Sequence, residues 1–276
     1  MNRTKTLLVW VATLATGCSS NKDRSDTAAA DSPPVPGHDS DGDGYTDEEE
    51  LDAGTDPEDG GSTIYIGGWP YNLDKGSIAD PGWTGEPAEG GIMPNYTAQD
   101  QFGDTVSLYD FAGRGNMVVL DVGTKWCGPC KAIAEYLSTG DMSPLIWKNE
   151  DSNGNGVLDA GEDLDEDGEL DPAEYYPWWK EEYSDLYRMV QEGEIYWITI
   201  LFSDNDTDPA TTEDAAEWEE DYPNDFIPVL ADTDLVLHDY LDIQSYPAIS
   251  VLDQDMAFLA YSNGGPFAAF ATIFPQ

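Results

Sequence analysis

Six consecutive residues, Trp126-Cys127-Gly128-Pro129-Cys130-Lys131, constrain this chain more than any other feature. They follow Met117-Val118-Val119-Leu120-Asp121-Val122, an apolar run bounded by Gly115 and Gly123 that reads as a buried strand. They open the stretch from Pro129 to Leu137, where Ala132, Ile133, Tyr136 and Leu137 recur at helical spacing. A helix N-terminus presents unpaired N–H groups and a partial positive charge, and both stabilise a thiolate. Cys127 at the helix start is therefore expected to be an exposed nucleophile of low pKa. Cys130, one turn along on the same face, would resolve a mixed disulfide. Pro129 falls in the first turn, where its missing N–H costs nothing. The other common use of C-x-x-C is half a zinc site, which needs a second pair of Cys or His ligands. The chain has 3 cysteines and 2 histidines. Cys18 lies far away at the N-terminus, and His38 and His238 stand alone, so no zinc set can be completed.

Around this motif strands and helices alternate. Helical patterns run from Trp178 to Val190 (Trp179, Tyr183, Leu186, Tyr187 and Val190 on one side), from Thr212 to Glu220, and onward from Pro266. Further strands are predicted at Ile195–Phe202, Ala248–Leu252 and Ala257–Tyr261. Such alternation indicates an α/β sheet.

The motif W-C-G-P-C-K is the thioredoxin superfamily's own, and the chain resembles that superfamily over about 92–147 and 178–276. The resemblance implies an α/β, thioredoxin-like fold, a central mixed sheet flanked by helices, over residues 92–276. It implies a thiol–disulfide oxidoreductase with a redox-active Cys127–Cys130 disulfide and no organic cofactor. Asp121, six residues before Cys127, falls where thioredoxins carry a buried acid that assists proton transfer from the resolving thiol; the alternative is an acid at a strand edge, paired with Lys125 or a hydroxyl. Ser245-Tyr246-Pro247-Ala248 resembles the family's cis-proline loop, which leaves the preceding backbone free to pair with a substrate peptide; the alternative is a trans proline at a strand start. By the same likeness Trp126, Gly128, Pro129 and Tyr246 would line the substrate site. Pro94 to Asp104 followed by Val106-Ser107-Leu108-Tyr109-Asp110-Phe111 resembles the opening hairpin of the membrane-anchored TlpA-like and peroxiredoxin-like branch. Thr124 precedes Cys127 by three, as in a peroxidase motif, but Cys130 and the intervening Gly-Pro match thioredoxin. The implied activity is reduction of disulfides in extracytoplasmic proteins, fed by a membrane electron donor such as a thiol-reducing transporter. The competing reading is a calcium-stabilised surface or stalk binding protein whose thioredoxin-like domain is redox-inert or oxidising.

The N-terminus bears on location. Arg3 and Lys5 precede an apolar stretch, Leu7 to Ala15, too short to span a bilayer. Leu14-Ala15-Thr16-Gly17-Cys18 resembles a lipoprotein signal-peptidase site, which implies a signal peptide over 1–17, lipidation of Cys18, and a protein exported and anchored to a bacterial membrane, facing periplasm or cell surface. The alternative is an ordinary cleaved signal with an incidental cysteine. Residues 18–37, small, polar and Pro-rich, read as a flexible tether, and Gly- and Pro-rich 61–91 as irregular structure. The formal charge is −45, from 11 Lys+Arg against 56 Asp+Glu. That balance repels nucleic acid and anionic membrane surfaces and favours cations.

Much of the acid is ordered. Asp39, Asp41, Asp43, Asp47 and Glu50 stand at positions 1, 3, 5, 9 and 12 of an EF-hand-type Ca²⁺ loop, with Gly44 at position 6 and the backbone of Tyr45 at position 7. Together with Leu51-Asp52-Ala53-Gly54-Thr55-Asp56-Pro57, the segment 38–60 resembles a bacterial thrombospondin type 3 repeat. The pattern recurs twice, back to back. One loop has Asp151, Asn153, Asn155, Val157, Asp159 and Glu162, and the next has Asp163, Asp165, Asp167, Glu169, Asp171 and Glu174. The alternative is a set of solvated acidic turns. Carboxylates gathered so closely repel without a cation, so structural Ca²⁺ is expected to fold these loops. The pair interrupts the thioredoxin-like domain as an insert at about 141–177, for which stabilisation is the expected role.

Overall fold

The computed structural model describes residues 37–164, 167–171 and 173–275. The expected signal segment, Cys18, the expected tether up to residue 36 and Asp165 lie outside the described residues. In chain order the elements are α1 (Asp47–Ala53), β1 (Thr97–Gln99), β2 (Thr105–Ser107), β3 (Met117–Thr124), α2 (Gly128–Thr139), β4 (Ile146–Lys148), β5 (Glu174–Tyr175), α3 (Leu186–Gln191), β6 (Ile195–Ser203), α4 (Thr212–Asp221), β7 (Val229–Ala231), α5 (Val236–Tyr240), β8 (Ser245–Leu252), β9 (Phe258–Ala260), β10 (Gly264–Gly265) and α6 (Phe267–Ile273).

The apolar run at β3 becomes the middle of a six-stranded sheet. It pairs parallel with β6 on one side and antiparallel with β8 on the other. Strand β7 extends the sheet parallel to β6, and β9 and β10 share the far edge of β8, the first antiparallel and the second parallel. A helix-linked parallel pair followed by an antiparallel pair is the thioredoxin-like arrangement, with β3, α2 and β6 as its first unit and β8, β9 and α6 as its last.

Side chains on a strand alternate between faces, and both faces of β3 are covered. Val118, Leu120 and Val122 join one core with Ile198, Ile200, Leu252 and residues of the β1–β2 hairpin region. Val119 joins the other, with Ile133 and Tyr136 of α2, Trp197 of β6 and Phe270 of α6. Each large side chain buried this way contributes about 1.5–3 kcal/mol relative to exposure. A strand enclosed on both faces is what a near-continuous apolar run encodes.

Residues 61–91 contain one 3-10 turn, Lys75–Ser77, and no α-helix or strand, yet Tyr65 and Trp69 are buried in the first core. Their polar ends are satisfied by the domain: Tyr65 Oη donates to Asp110 Oδ2 (2.7 Å) and Trp69 Nε1 to Asp100 Oδ2 (2.7 Å).

The helix expected from Trp178 onwards is shorter. A 3-10 segment at Glu181–Asp185 leads into α3, and Lys180 before it is extended (φ −130, ψ 151). Tertiary packing overrides the periodicity. Trp179 packs edge-on against Tyr136 and Phe270, and Trp178 lies against Phe270. The insert is closed by a short ribbon in which β4 and β5 pair antiparallel. Between these strands the described residues hold no α-helix, so its loops are not flanked by the paired helices of an EF-hand. Among the described residues no helix is long and apolar enough to cross a membrane.

Candidate active site

Cys127 is the N-cap of α2 and Gly128 and Pro129 are its first residues, so the motif opens the helix as its spacing predicts. The two cysteines are joined as a disulfide, S–S 2.08 Å. Cys127 Sγ accepts a hydrogen bond from the Cys130 amide (3.2 Å), one of the N–H groups a helix start leaves without a backbone partner. The expectation of an exposed nucleophile is not met. Cys127 is 3% exposed, nearly as buried as Cys130, because Leu201, Ala215 and Trp218 pack around the pair and Tyr246 lies over it. Within the motif Trp126 and Gly128 are exposed, Trp126 at 47%. The Trp126 indole donates to Ser203 Oγ (3.2 Å), and its ring meets Tyr246 edge-on at 5.6 Å.

The Tyr246–Pro247 peptide bond is cis. The ladder pairs Val122 with Ala248, so Pro247 stands next beyond it, at the end of β3 that runs into the motif. Tyr246 is held from behind: its ring packs on Phe202 (4.9 Å), and His238 Nε2 lies 3.3 Å from its hydroxyl. Neither Phe202 nor His238 stands out in the sequence as a site residue.

Asp121 projects from the β3 face that carries Val119, towards α2. Gly123 follows two residues later on the same face, about 7 Å along the strand. A Cβ at Gly123 would lie 3.1 Å from Cys130 Sγ, so glycine is what lets the Cys130 sulfur rest against the strand that carries Asp121. Burial pushes Asp121 up to about 7, while the nearby Trp197 indole pulls the other way. Neither Asp121 Oδ1 nor Trp197 Nε1 completes a hydrogen bond. A buried carboxyl of that pKa suits proton transfer near neutrality. The alternative partner, Lys125, is engaged elsewhere. It bonds to Asp214 Oδ1 (2.8 Å) and to Glu217, and these carboxylates hold its ammonium above its ordinary value against the effect of burial.

The acidic loops differ among themselves. In 39–50, ligand oxygens of Asp39, Asp41 and Asp43 lie within 4.8 Å of one another. Glu50 is fully buried, and Asp41 Oδ2, Asp43 Oδ2 and Glu50 Oε2 are buried without hydrogen-bond partners. Burial, then the charges of Asp41 and Asp43, raise the Glu50 pKa. The Tyr45 amide donates to Asp43 Oδ1 (2.8 Å), and Asp47 turns aside to accept from the Ser40 amide and hydroxyl (2.8 and 2.9 Å). A cluster of hard oxygens with unpaired buried lone pairs fits Ca²⁺. In the first insert loop the backbone amides of Asn155 and Gly156 close onto Asp151 (both 2.9 Å), the Val157 amide onto Asn155 Oδ1 (2.7 Å), and Asn153 Nδ2 reaches Asp159 and Glu162 (both 3.1 Å). The second insert loop is only partly gathered. The Gly168 amide donates to Asp163 Oδ2 (3.1 Å) and the Glu169 amide to Asp167 Oδ1 (2.8 Å), and Asp163 Oδ1 is buried and unpartnered. Asp171 is instead drawn to Lys148 Nζ (2.7 Å), and Glu174 lies exposed on β5. Sequence reasoning missed Glu150, which is fully buried and accepts from the amides of Leu164 and Asp171 (both 2.9 Å). Both partners belong to the second insert loop, which Glu150 braces from outside either ligand pattern.

Fold and site together give the chain a thioredoxin-like fold, with the C-x-x-C pair at a helix N-terminus and a cis-proline at the start of β8. Residues 39–60 match the family model of the bacterial TSP3 repeat. No curated protein matches the chain in sequence. Among solved structures it is similar to the thioredoxin domain of a thiol-disulfide oxidoreductase from Bacteroides vulgatus (18% identity, TM-score 0.39, 68% of this chain and 98% of that one). It is also similar to the pneumococcal exposed lipoprotein thioredoxin from Streptococcus pneumoniae (18%, 0.34, 60% and 85%). A third likeness is to a thioredoxin-like protein from Bacteroides caccae (12%, 0.42, 69% and 51%).

Proposed function

We propose that this protein is an extracytoplasmic thiol–disulfide oxidoreductase that reduces disulfides of other proteins. The observation that carries the reading is the cysteine pair joined across the first turn of α2, with Cys127 Sγ held by the Cys130 amide. In the reduced protein the Cys127 thiolate attacks one sulfur of a substrate disulfide. A mixed disulfide forms and the substrate's other sulfur leaves as a thiolate. Cys130, deprotonated with the help of Asp121, then attacks Cys127 Sγ, which releases the second substrate thiol and closes the Cys127–Cys130 disulfide. Two electrons have passed to the substrate, and a dithiol donor must return them, for which a membrane thiol-reducing transporter is the fitting class. Export and anchoring through Cys18 are supported by the segment from Arg3 to Cys18, and Ca²⁺ in the 39–50 loop by its unpartnered buried oxygens. In the insert Ca²⁺ is structural in this reading.

The burial of Cys127 favours one competitor, a binding protein whose disulfide does not turn over. The reduction potential of the pair, from equilibration with glutathione or dithiothreitol, separates them. A potential near about −270 mV supports a reductase, one near about −120 mV makes the protein an oxidant, and a pair that does not equilibrate leaves the binding reading.

A further inference from the structure

The insert reaches the cysteine motif. Gly128 stands between the two cysteines, and a Cβ placed on it would have Tyr176 Oη at 3.8 Å; apart from its chain neighbours and its own helix, no other atom would lie within 4 Å. Tyr176 is the residue directly after β5, where the insert rejoins the domain. Its mount is firm. The Tyr176 amide donates to the Leu145 carbonyl (2.9 Å), its own carbonyl accepts from the Trp179 amide (2.8 Å), and its ring stacks on Trp178 at 5.3 Å and 17°. Trp178 is buried against Phe270 of α6. The Tyr176 side chain is half-buried, and among the described residues its hydroxyl has no hydrogen-bond partner.

An unpartnered phenol beside the residue that links the two sulfurs is placed for a visitor. Cys127 is buried, so a protein disulfide that reaches it must bring its flanking chain against the side chains bordering the motif. Trp126 and Tyr246 come from the thioredoxin-like core, and Tyr176 comes from the insert. A phenol both donates and accepts hydrogen bonds, and its ring offers an apolar face. We infer that Tyr176 is a substrate-contacting specificity residue, whose hydroxyl bonds the backbone of the protein segment next to the scissile disulfide and whose ring packs on that segment. The inference rests on the oxidoreductase reading and goes beyond it by giving the insert a part in substrate choice. It selects for disulfides embedded in a chain over small free ones, which carry no flanking backbone.

The test uses the full protein with dithiothreitol as reductant and two probes, insulin as the protein disulfide and hydroxyethyl disulfide as the small one. Tyr176→Phe, which removes only the hydroxyl, should raise KM for insulin roughly fivefold. Tyr176→Ala, which removes the ring as well, should raise it about tenfold or more. Turnover at saturation should stay within about twofold for both variants, the signature of lost uniform binding. Kinetics with hydroxyethyl disulfide should not move, and that constancy also shows that the site is still folded. Equal losses on both probes, or unchanged insulin kinetics in both variants, would overturn the inference while leaving the enzyme reading in place. A wild-type protein that reduces neither probe removes the enzyme reading and this inference with it.

Discussion

Replacing Asp121 with asparagine should change how stability depends on pH, and the structure sets the size of the effect. Burial moves the Asp121 carboxyl from an ordinary 3.8 up to about 7. The folded state thus holds this proton more tightly than the unfolded state. Below about pH 4 both states are protonated and nothing is lost. Between about pH 4 and 7 the unfolded chain ionises while the folded one resists, so stability falls as pH rises, and above about 7 the penalty is complete. A displacement of about three pH units corresponds to about 4 kcal/mol. Asparagine cannot ionise, but its amide is buried beside an unpartnered position and costs about 1–3 kcal/mol at every pH. The amide cost cancels when the variant's effect at pH 4 is subtracted from its effect at pH 8. The many other carboxylates titrate in both proteins and cancel too. Urea unfolding of the two oxidised proteins across that range should give curves that diverge by about 4 kcal/mol, with Asp121→Asn the relatively more stable at pH 8. Parallel curves would refute the argument, since they would mean that Asp121 ionises in the fold as it does in water.

Two further outcomes follow from the site. Cys130→Ser should accumulate a mixed disulfide between Cys127 and a protein substrate, visible as a band that thiols abolish on non-reducing gels, whereas Cys127→Ser should form none; adducts through Cys130 in the second variant would reverse the assigned roles. Ca²⁺ at about a hundredfold above its dissociation constant should stabilise the protein by about 2.7 kcal/mol, and Glu50→Gln should weaken binding measured by calorimetry; an unchanged isotherm would remove Glu50 from the ligand set.

The parts of this molecule that were legible beforehand are those where local pattern and tertiary structure agree. The β3 run is apolar because both of its faces are covered, and the motif opens a helix because glycine and proline suit its first turn. The β6 and β8 strands were legible for the same reason, though β8 begins earlier, at Ser245. Strand β7 and helix α5 were missed: β7 has only three residues, and α5 starts after Leu235, which has a positive φ (58) that no sequence rule flags for leucine. The site was legible where chemistry needs a particular residue type, as at Cys127 and Cys130. It was opaque where an ordinary residue acts by placement. Nothing in the sequence marks Tyr176, Glu150 or Gly123 as neighbours of the dithiol or of the acidic loops. Cys127 was misjudged as exposed because helix spacing says which residue starts a helix and nothing about what packs over it.

The hydrogen bond from the Tyr176 amide to the Leu145 carbonyl has a bearing on how freely the insert can vary. It means that the polypeptide departs from the domain and returns to it at one point, so everything from Ile146 to Tyr175 is an excursion with its two ends already side by side. A segment with adjoining ends can be lengthened, exchanged or deleted without moving the sheet that hosts it. The acidic loops therefore sit at a permissive insertion point of the sheet-bearing domain. An insert there needs no rearrangement of the strands that hold the cysteines, and at the seam it sets one side chain, Tyr176, at the edge of the cysteine pair.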